Sequence, residues 1–109
     1  MVGTIVENSL ADTSILKKLT ITKTWKDGSW TLHQVSVTKE EAREVAKSLA
    51  DGPWYVHFWE PGKDEVLVIF KDKSFWIKST DKSTWAEAIS FGKSIGIPEK
   101  QLDFVISDQ

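Results

Sequence analysis

The chain has 109 residues, six tryptophans, no cysteine and a formal net charge of −2. This length indicates one domain, and the lack of cysteine excludes disulfides, thiolate chemistry and Cys-based zinc sites. The small net charge gives no overall attraction to nucleic acid or membranes, so such a partner needs a local patch. The longest apolar run, 66–70, is too short to span a membrane, and no secretory leader is recognisable. We therefore expect a cytoplasmic protein with no membrane partner.

The first part of the chain predicts a mobile segment followed by a β-hairpin. Residues 1–14 are weakly patterned, and we expect a mobile arm or an extra edge strand there. Residues 15–25 alternate as a strand, and Asp27-Gly28 is a strong signal for a two-residue hairpin turn. A second strand is then expected over 29–37.

The hairpin would bring two tryptophans together. If Asp27 and Gly28 are the central residues of the turn, Trp25 lies directly opposite Trp30. Such a pair either clamps the hairpin over the core or forms an exposed platform on which a ligand ring stacks. The first interpretation is the more ordinary one, since cross-strand aromatic pairs commonly stabilise sheets.

A helix is predicted over 38–50, because Thr38 and Glu41 form a capping-box pattern. Three strands of a meander follow, at 54–60, 65–71 and 74–78.

The chain then predicts a second helix, which begins near Asp81, Ser83 or Thr84 and ends at Gly96. A short helical turn beyond it is expected to dock Leu102 and Phe104.

The element order ββαβββα predicts an α+β fold for a single domain over 15–109. We expect a mostly antiparallel, curved sheet of about five strands. Both helices are expected to lie on one face of this sheet, since two short helices cover about one face.

The meander is apolar on both faces, whereas a half-exposed antiparallel strand alternates apolar and polar residues. The turns predict that His57 lies opposite Val68, and that Phe70 lies opposite Phe75. One face then carries Tyr55, His57, Trp59, Val66, Val68, Phe70, Phe75 and Ile77. The other face, expected to pack on the helices, carries Trp54, Val56, Phe58, Leu67, Ile69 and Trp76.

The face that bears Tyr55, His57 and Trp59 has three possible roles. It could be covered by the N-terminal arm, the first hairpin or the C-terminal tail, as a second small core. It could be a homodimer or protein-interaction surface, as large exposed apolar patches often are. It could also stack unpaired bases, with phosphates held by nearby lysines. The candidate binding residues are Tyr55, His57, Trp59, Phe70, Phe75, Lys71, Lys73 and Lys78.

An aromatic sheet with lysine margins, in a small cysteine-free α+β chain, resembles the ThermoDBP-type single-stranded DNA-binding proteins of archaea and bacteria. The resemblance is one of general character across 15–104, and no site residue is taken from it. It implies that a single strand binds in a cleft with an aromatic and apolar floor.

Signals for catalysis are weak. His33 and His57 are the only histidines, and they lie on separate predicted strands without the partner geometry that a general base requires. We predict a non-enzymatic module without metal or cofactor that binds single-stranded DNA or RNA. The alternative is a homo-oligomeric module, most simply a dimer, or a protein-interaction module using the same aromatic face. A small hydrolase or metal protein is a distant third.

Overall fold

Six antiparallel strands form one sheet in the computed structural model, which describes residues 1–104. In chain order the strands are β1 (Val2–Val6), β2 (Thr20–Asp27), β3 (Trp30–Ser36), β4 (Val56–Trp59), β5 (Glu65–Phe70) and β6 (Lys73–Lys78). Their order across the sheet is β2-β3-β1-β4-β5-β6. The helices are α1 (Lys39–Ser48) and α2 (Ala86–Ser94), with four 3-10 turns at Glu7–Ser9, Thr13–Lys18, Lys82–Trp85 and Glu99–Gln101. This confirms the predicted α+β class and antiparallel sheet. No helix within 1–104 is long and apolar enough to cross a membrane.

The N-terminal residues form a central strand. β1 pairs along its whole length with β3, and through Val2 and Gly3 with β4. The expectation of a mobile arm or an extra edge strand is therefore wrong for these residues. Gly3 permits this position, since a Cβ atom there would lie 2.5 Å from both the His57 carbonyl oxygen and a ring carbon of Phe58.

The first hairpin turns one residue later than predicted. Gly28 and Ser29 are the central residues of the turn, Asp27 pairs with Trp30, and Trp25 pairs with Leu32. Gly28 has φ +61°, and a type II′ turn requires positive φ at its first central position. Trp25 and Trp30 are therefore diagonal neighbours, and the expected directly opposed pair is wrong.

The two helices lie over opposite faces of the sheet, so their predicted placement on one face is wrong. The face covered by α1, here called the α1 face, has a core that includes Ile5, Val35, Val56, Phe58, Leu67 and Ile69. The opposite face, here called the α2 face, packs against α2 and residues 97–104 through Val66, Val68, Phe70 and Ile77. Strand β5 explains this arrangement, because every residue from Val66 to Phe70 is buried and both faces must be covered.

The predicted strand faces of the meander are correct, although one register is shifted. His57 lies opposite Val68, as predicted. The second turn centres on Lys71-Asp72, so Phe75 lies opposite Val68 and not opposite Phe70. Asp72 takes the left-handed conformation there, with φ +57°. Because the shift is by two residues, each side chain keeps its face.

Both helix starts follow their sequence signals. Thr38 and Glu41 form the predicted capping box at α1. The Asp81 side chain accepts a hydrogen bond from the Ser83 backbone and begins the 3-10 turn that leads into α2. Leu102 and Phe104 are both buried, which confirms that the C-terminal turn docks on the domain.

Replacing Gly3 with Ala should destabilise the domain by about 1–3 kcal/mol or more, because the added methyl group overlaps backbone and ring atoms of β4. Urea denaturation measures the change in the free energy of unfolding. Thr4→Ala, at the neighbouring exposed position of β1, is the control and should have a much smaller effect. Equal stability of the two variants would contradict the tight approach of β1 and β4.

Candidate binding surface on the open half of the sheet

The predicted aromatic binding face is largely a second core. Phe70 is 0% exposed, and its ring centroid lies 5.0 Å from that of Phe91 on α2 and 6.0 Å from that of Phe75. Phe75 is half-buried in the same cluster. These two predicted site residues therefore hold α2 on the sheet and present little surface to a partner.

Residues 97–104, here called the C-terminal segment, cross the remaining part of this aromatic cluster. The ring of Phe104 lies edge-to-face against Tyr55 at 5.7 Å and against His57 at 6.2 Å. The Tyr55 hydroxyl donates a hydrogen bond of 2.5 Å to the Gln101 carbonyl oxygen. Tyr55, His57 and Trp59 are consequently half-buried, and the C-terminal segment supplies much of their cover.

The predicted lysines do not join these rings in one open surface. Lys71 forms an ion pair of 3.1 Å with Asp51. Lys73 and Lys78 are exposed on β6, the edge strand farthest from β2, and the Lys73 ammonium lies 5.6 Å from the centre of the Phe75 ring. The structure therefore separates Lys73 and Lys78 from Trp25 and Trp30, which lie on β2 and β3.

Within residues 1–104, the α2 face is open over strands β2, β3 and β1. Ile5, His33 and Val35 are buried on the α1 face, so alternate residues of these strands point to the opposite side. We call this surface the open half-face; it consists of Thr4, Val6, Lys23, Trp25, Trp30, Leu32 and Gln34. Thr4, Lys23, Trp30 and Gln34 are exposed, and the other three are half-buried. A paired sheet surface thus remains uncovered beside the C-terminal segment.

A groove separates the open half-face from the C-terminal segment. Its volume is about 460 Å³, which lies within the range of small-ligand sites. Thr4 and Val6 line it from β1, while Gln101 lines it from the C-terminal segment. Trp30 and Trp54 also line the groove, and their rings meet edge-to-face with centroids 6.0 Å apart. The groove therefore has the volume of a small-ligand site and is bordered by aromatic surface.

His57 also lines the groove and is mostly uncharged near neutral pH. Burial lowers its pKa below the ordinary 6.5, and the nearby Asp103 carboxylate only partly opposes this effect. Its Nδ1 atom is buried with no hydrogen-bond partner in the described chain. The inner end of the groove thus presents a neutral aromatic ring.

Charge on the open half-face is sparse. The Lys23 ammonium lies over the Trp25 ring, 5.3 Å from its centre, in a cation–π arrangement. Asp27 lies directly opposite Trp30 at the hairpin turn. A ligand bound here would meet mainly ring faces, with Lys23 available for a negative group.

Trp54 is the site residue that the sequence pattern misplaced. Strict alternation from Val56 would put it on the α1 face. Strand β4 begins only at Val56, so this alternation does not extend back to Trp54. The preceding Pro53 is the available sequence signal, since proline is typical of a strand boundary.

His33 is a buried residue whose ring contacts neighbouring side chains. It is buried on the α1 face, with its ring nitrogens 2.9 Å from Thr24 Oγ1 and 2.9 Å from a Glu7 carboxylate oxygen. Across 1–104, no three His, Asp or Glu residues are grouped so that they could hold a metal ion.

Comparison of the chain with protein-family models, with curated proteins and with solved structures finds no significant match. What this surface could bind is therefore inferred from its own residues.

Acid should weaken the domain through His57. As pH falls below about 6.5, the unfolded chain takes up a proton at this residue before the folded chain does, so the free energy of unfolding decreases. His57→Phe keeps an aromatic ring at this position but cannot take up this proton. Urea denaturation at about pH 7.5 and about pH 5.5 should show a smaller acid loss in the variant than in the wild type. His33→Gln, which keeps His57, is the control, and equal losses in the wild type and His57→Phe would contradict the assignment.

The pKa of Tyr55, the single tyrosine, should lie above the ordinary pKa of a tyrosine hydroxyl. Burial raises the pKa of its hydroxyl above 10, and the negative charge of Asp103 adds to the effect, while the Asp103 backbone hydrogen bond opposes it. Tyrosinate absorbance during alkaline titration measures this residue alone. The midpoint should lie above that of the urea-unfolded chain, and coincident midpoints would show that the C-terminal segment does not cover Tyr55.

Proposed function

We propose that this chain is a non-enzymatic binding module that holds single-stranded DNA or RNA on the open half-face and in the adjoining groove. The observation that carries the proposal is the position of Trp30. Its side chain is 46% exposed, and its ring is braced edge-to-face by Trp54 at the border of an open groove.

The exposed rings suit stacking on unpaired bases. Base–aromatic stacking contributes about 1–3 kcal/mol per base and tolerates any base. Because Trp54 supports the Trp30 ring, less side-chain freedom is lost when a base stacks on it. Trp25, diagonal to Trp30 across the hairpin, offers a second ring on the same face. A duplex would hide its base faces from these rings, so an unpaired strand is the better partner.

Electrostatics should have a minor part in this binding. Lys23 is placed to meet a phosphate, whereas the predicted lysines Lys73 and Lys78 lie on β6, at the opposite edge of the sheet from Lys23. The salt dependence of single-strand binding grows by about 0.7 in log–log slope for each phosphate neutralised. We therefore propose a shallow salt dependence, with affinity supplied chiefly by stacking. The ThermoDBP-type resemblance, which stays a prediction, implies a cleft of the same aromatic and apolar character.

A homodimer through the same surface is the second candidate. Val6 and Leu32 lie directly opposite each other on the open half-face and are only half-buried. Aliphatic side chains contribute little to base stacking but are well suited to burial against a second subunit. These two side chains are the specific reason to test for a dimer.

Fluorescence anisotropy of a labelled oligothymidine strand at low salt tests the first candidate. The wild type should bind, and Trp30→Ala should weaken binding roughly 5- to 150-fold, which corresponds to the loss of one stacked base. Trp76→Ala is the matched control: Trp76 is 51% exposed but belongs to β6, at the opposite edge of the sheet. It should bind like the wild type.

The outcomes separate the two candidates. No binding by the wild type at low salt would overturn the nucleic-acid proposal. Light scattering that gives a dimeric mass, reduced to a monomeric mass in Trp30→Ala, would favour the homodimer. Equal weakening by the Trp30 and Trp76 variants would show that the open half-face is not the binding surface.

A further inference from the structure

A second cleft lies on the α1 face, between helix α1 and the tip of the β5–β6 hairpin. Its volume is about 240 Å³, smaller than a typical drug-sized site. The floor is apolar and consists of Ala42, Ala46, Leu67 and Ile69. This cleft is on the other side of the sheet from the groove described above.

The cleft has a fixed width. The backbone N–H of Asp72, at the hairpin tip, donates a hydrogen bond of 3.2 Å to the Ala46 carbonyl oxygen on α1. Ala42 and Ala46 are small, so the helix leaves space above Leu67 and Ile69 without exposing much of them. A ligand would therefore enter a preformed space, and little ordering energy would be lost on binding.

Three cations border this apolar floor. Arg43, the only arginine of the chain, and Lys47 line the cleft from exposed positions on α1, and Lys73 lines it from β6. The ion pairs within 1–104 engage other cations, namely Met1, His33, Lys71 and Lys93. Asp72 is the acidic residue at the rim, so the border is net positive although the whole chain is net negative.

We infer that this cleft is a second binding site, which takes a small carboxylate with a short apolar body. The guanidinium of Arg43 can hold a carboxylate through two parallel hydrogen bonds. The apolar body would cover Leu67 and Ile69, and the small volume limits it to a few carbon atoms. The Ser74 hydroxyl, also at the rim, supplies a further polar group.

NMR titration of the ¹⁵N-labelled protein with hexanoate tests the site. Amide shifts should be confined to the residues around the cleft, and hexan-1-ol and hexylammonium, with the same chain but no carboxylate, should bind much more weakly. Arg43→Gln should weaken hexanoate binding by at least about tenfold, because a charge-assisted hydrogen bond is lost. Lys26→Gln, on the distant edge strand β2, is the charge-matched control and should bind like the wild type.

A second variant tests the space inside the cleft separately from the charge at its border. Ser74→Phe fills the cleft from an exposed strand position and leaves the three cations in place, so it should also abolish binding. The inference is overturned by the absence of cleft shifts, by equal binding of hexanoate and hexan-1-ol, or by an unchanged affinity in Arg43→Gln. Binding of an acidic peptide in place of hexanoate would likewise overturn the assignment to a small carboxylate.

Discussion

Strand β5 imposes the constraint on which the rest of the fold depends. Its residues from Val66 to Phe70 are all buried, so apolar side chains project from both faces of the sheet at this strand. Each face needs its own cover, because leaving several large side chains in water would cost about 1.5–3 kcal/mol for each. Helix α1 covers one face, and α2 with residues 97–104 covers the other.

This two-sided cover also creates the candidate binding surface. Helix α2 and residues 97–104 together cover only β4, β5 and β6, whereas the sheet continues through β1, β3 and β2. The uncovered part ends against the C-terminal segment, and the step between them is the groove. Trp30 and Trp54 stand at this boundary, where a ring can be braced on one side and open on the other.

The central position of β1 links the two halves of the sheet. Strand β1 lies between β3 and β4 and pairs with both, so it joins the hairpin that carries Trp25 and Trp30 to the meander. Gly3 makes the link possible because only a residue without a side chain fits against the backbone and the Phe58 ring of β4. The candidate site is thus assembled from four separate chain segments, and its geometry depends on the packing of one glycine.

Local patterns in the sequence determined the α+β class, the capping box at Thr38 and the face of each residue within strands β4, β5 and β6, because these features depend on interactions between near neighbours. They also showed that both faces of the meander are apolar. Only the tertiary structure decided which element covers each face, where β1 inserts, and that the open aromatic surface is at Trp30 and not at Phe70. Those outcomes depend on contacts between distant segments, and a strand as short as β1 has no pattern that specifies its neighbours.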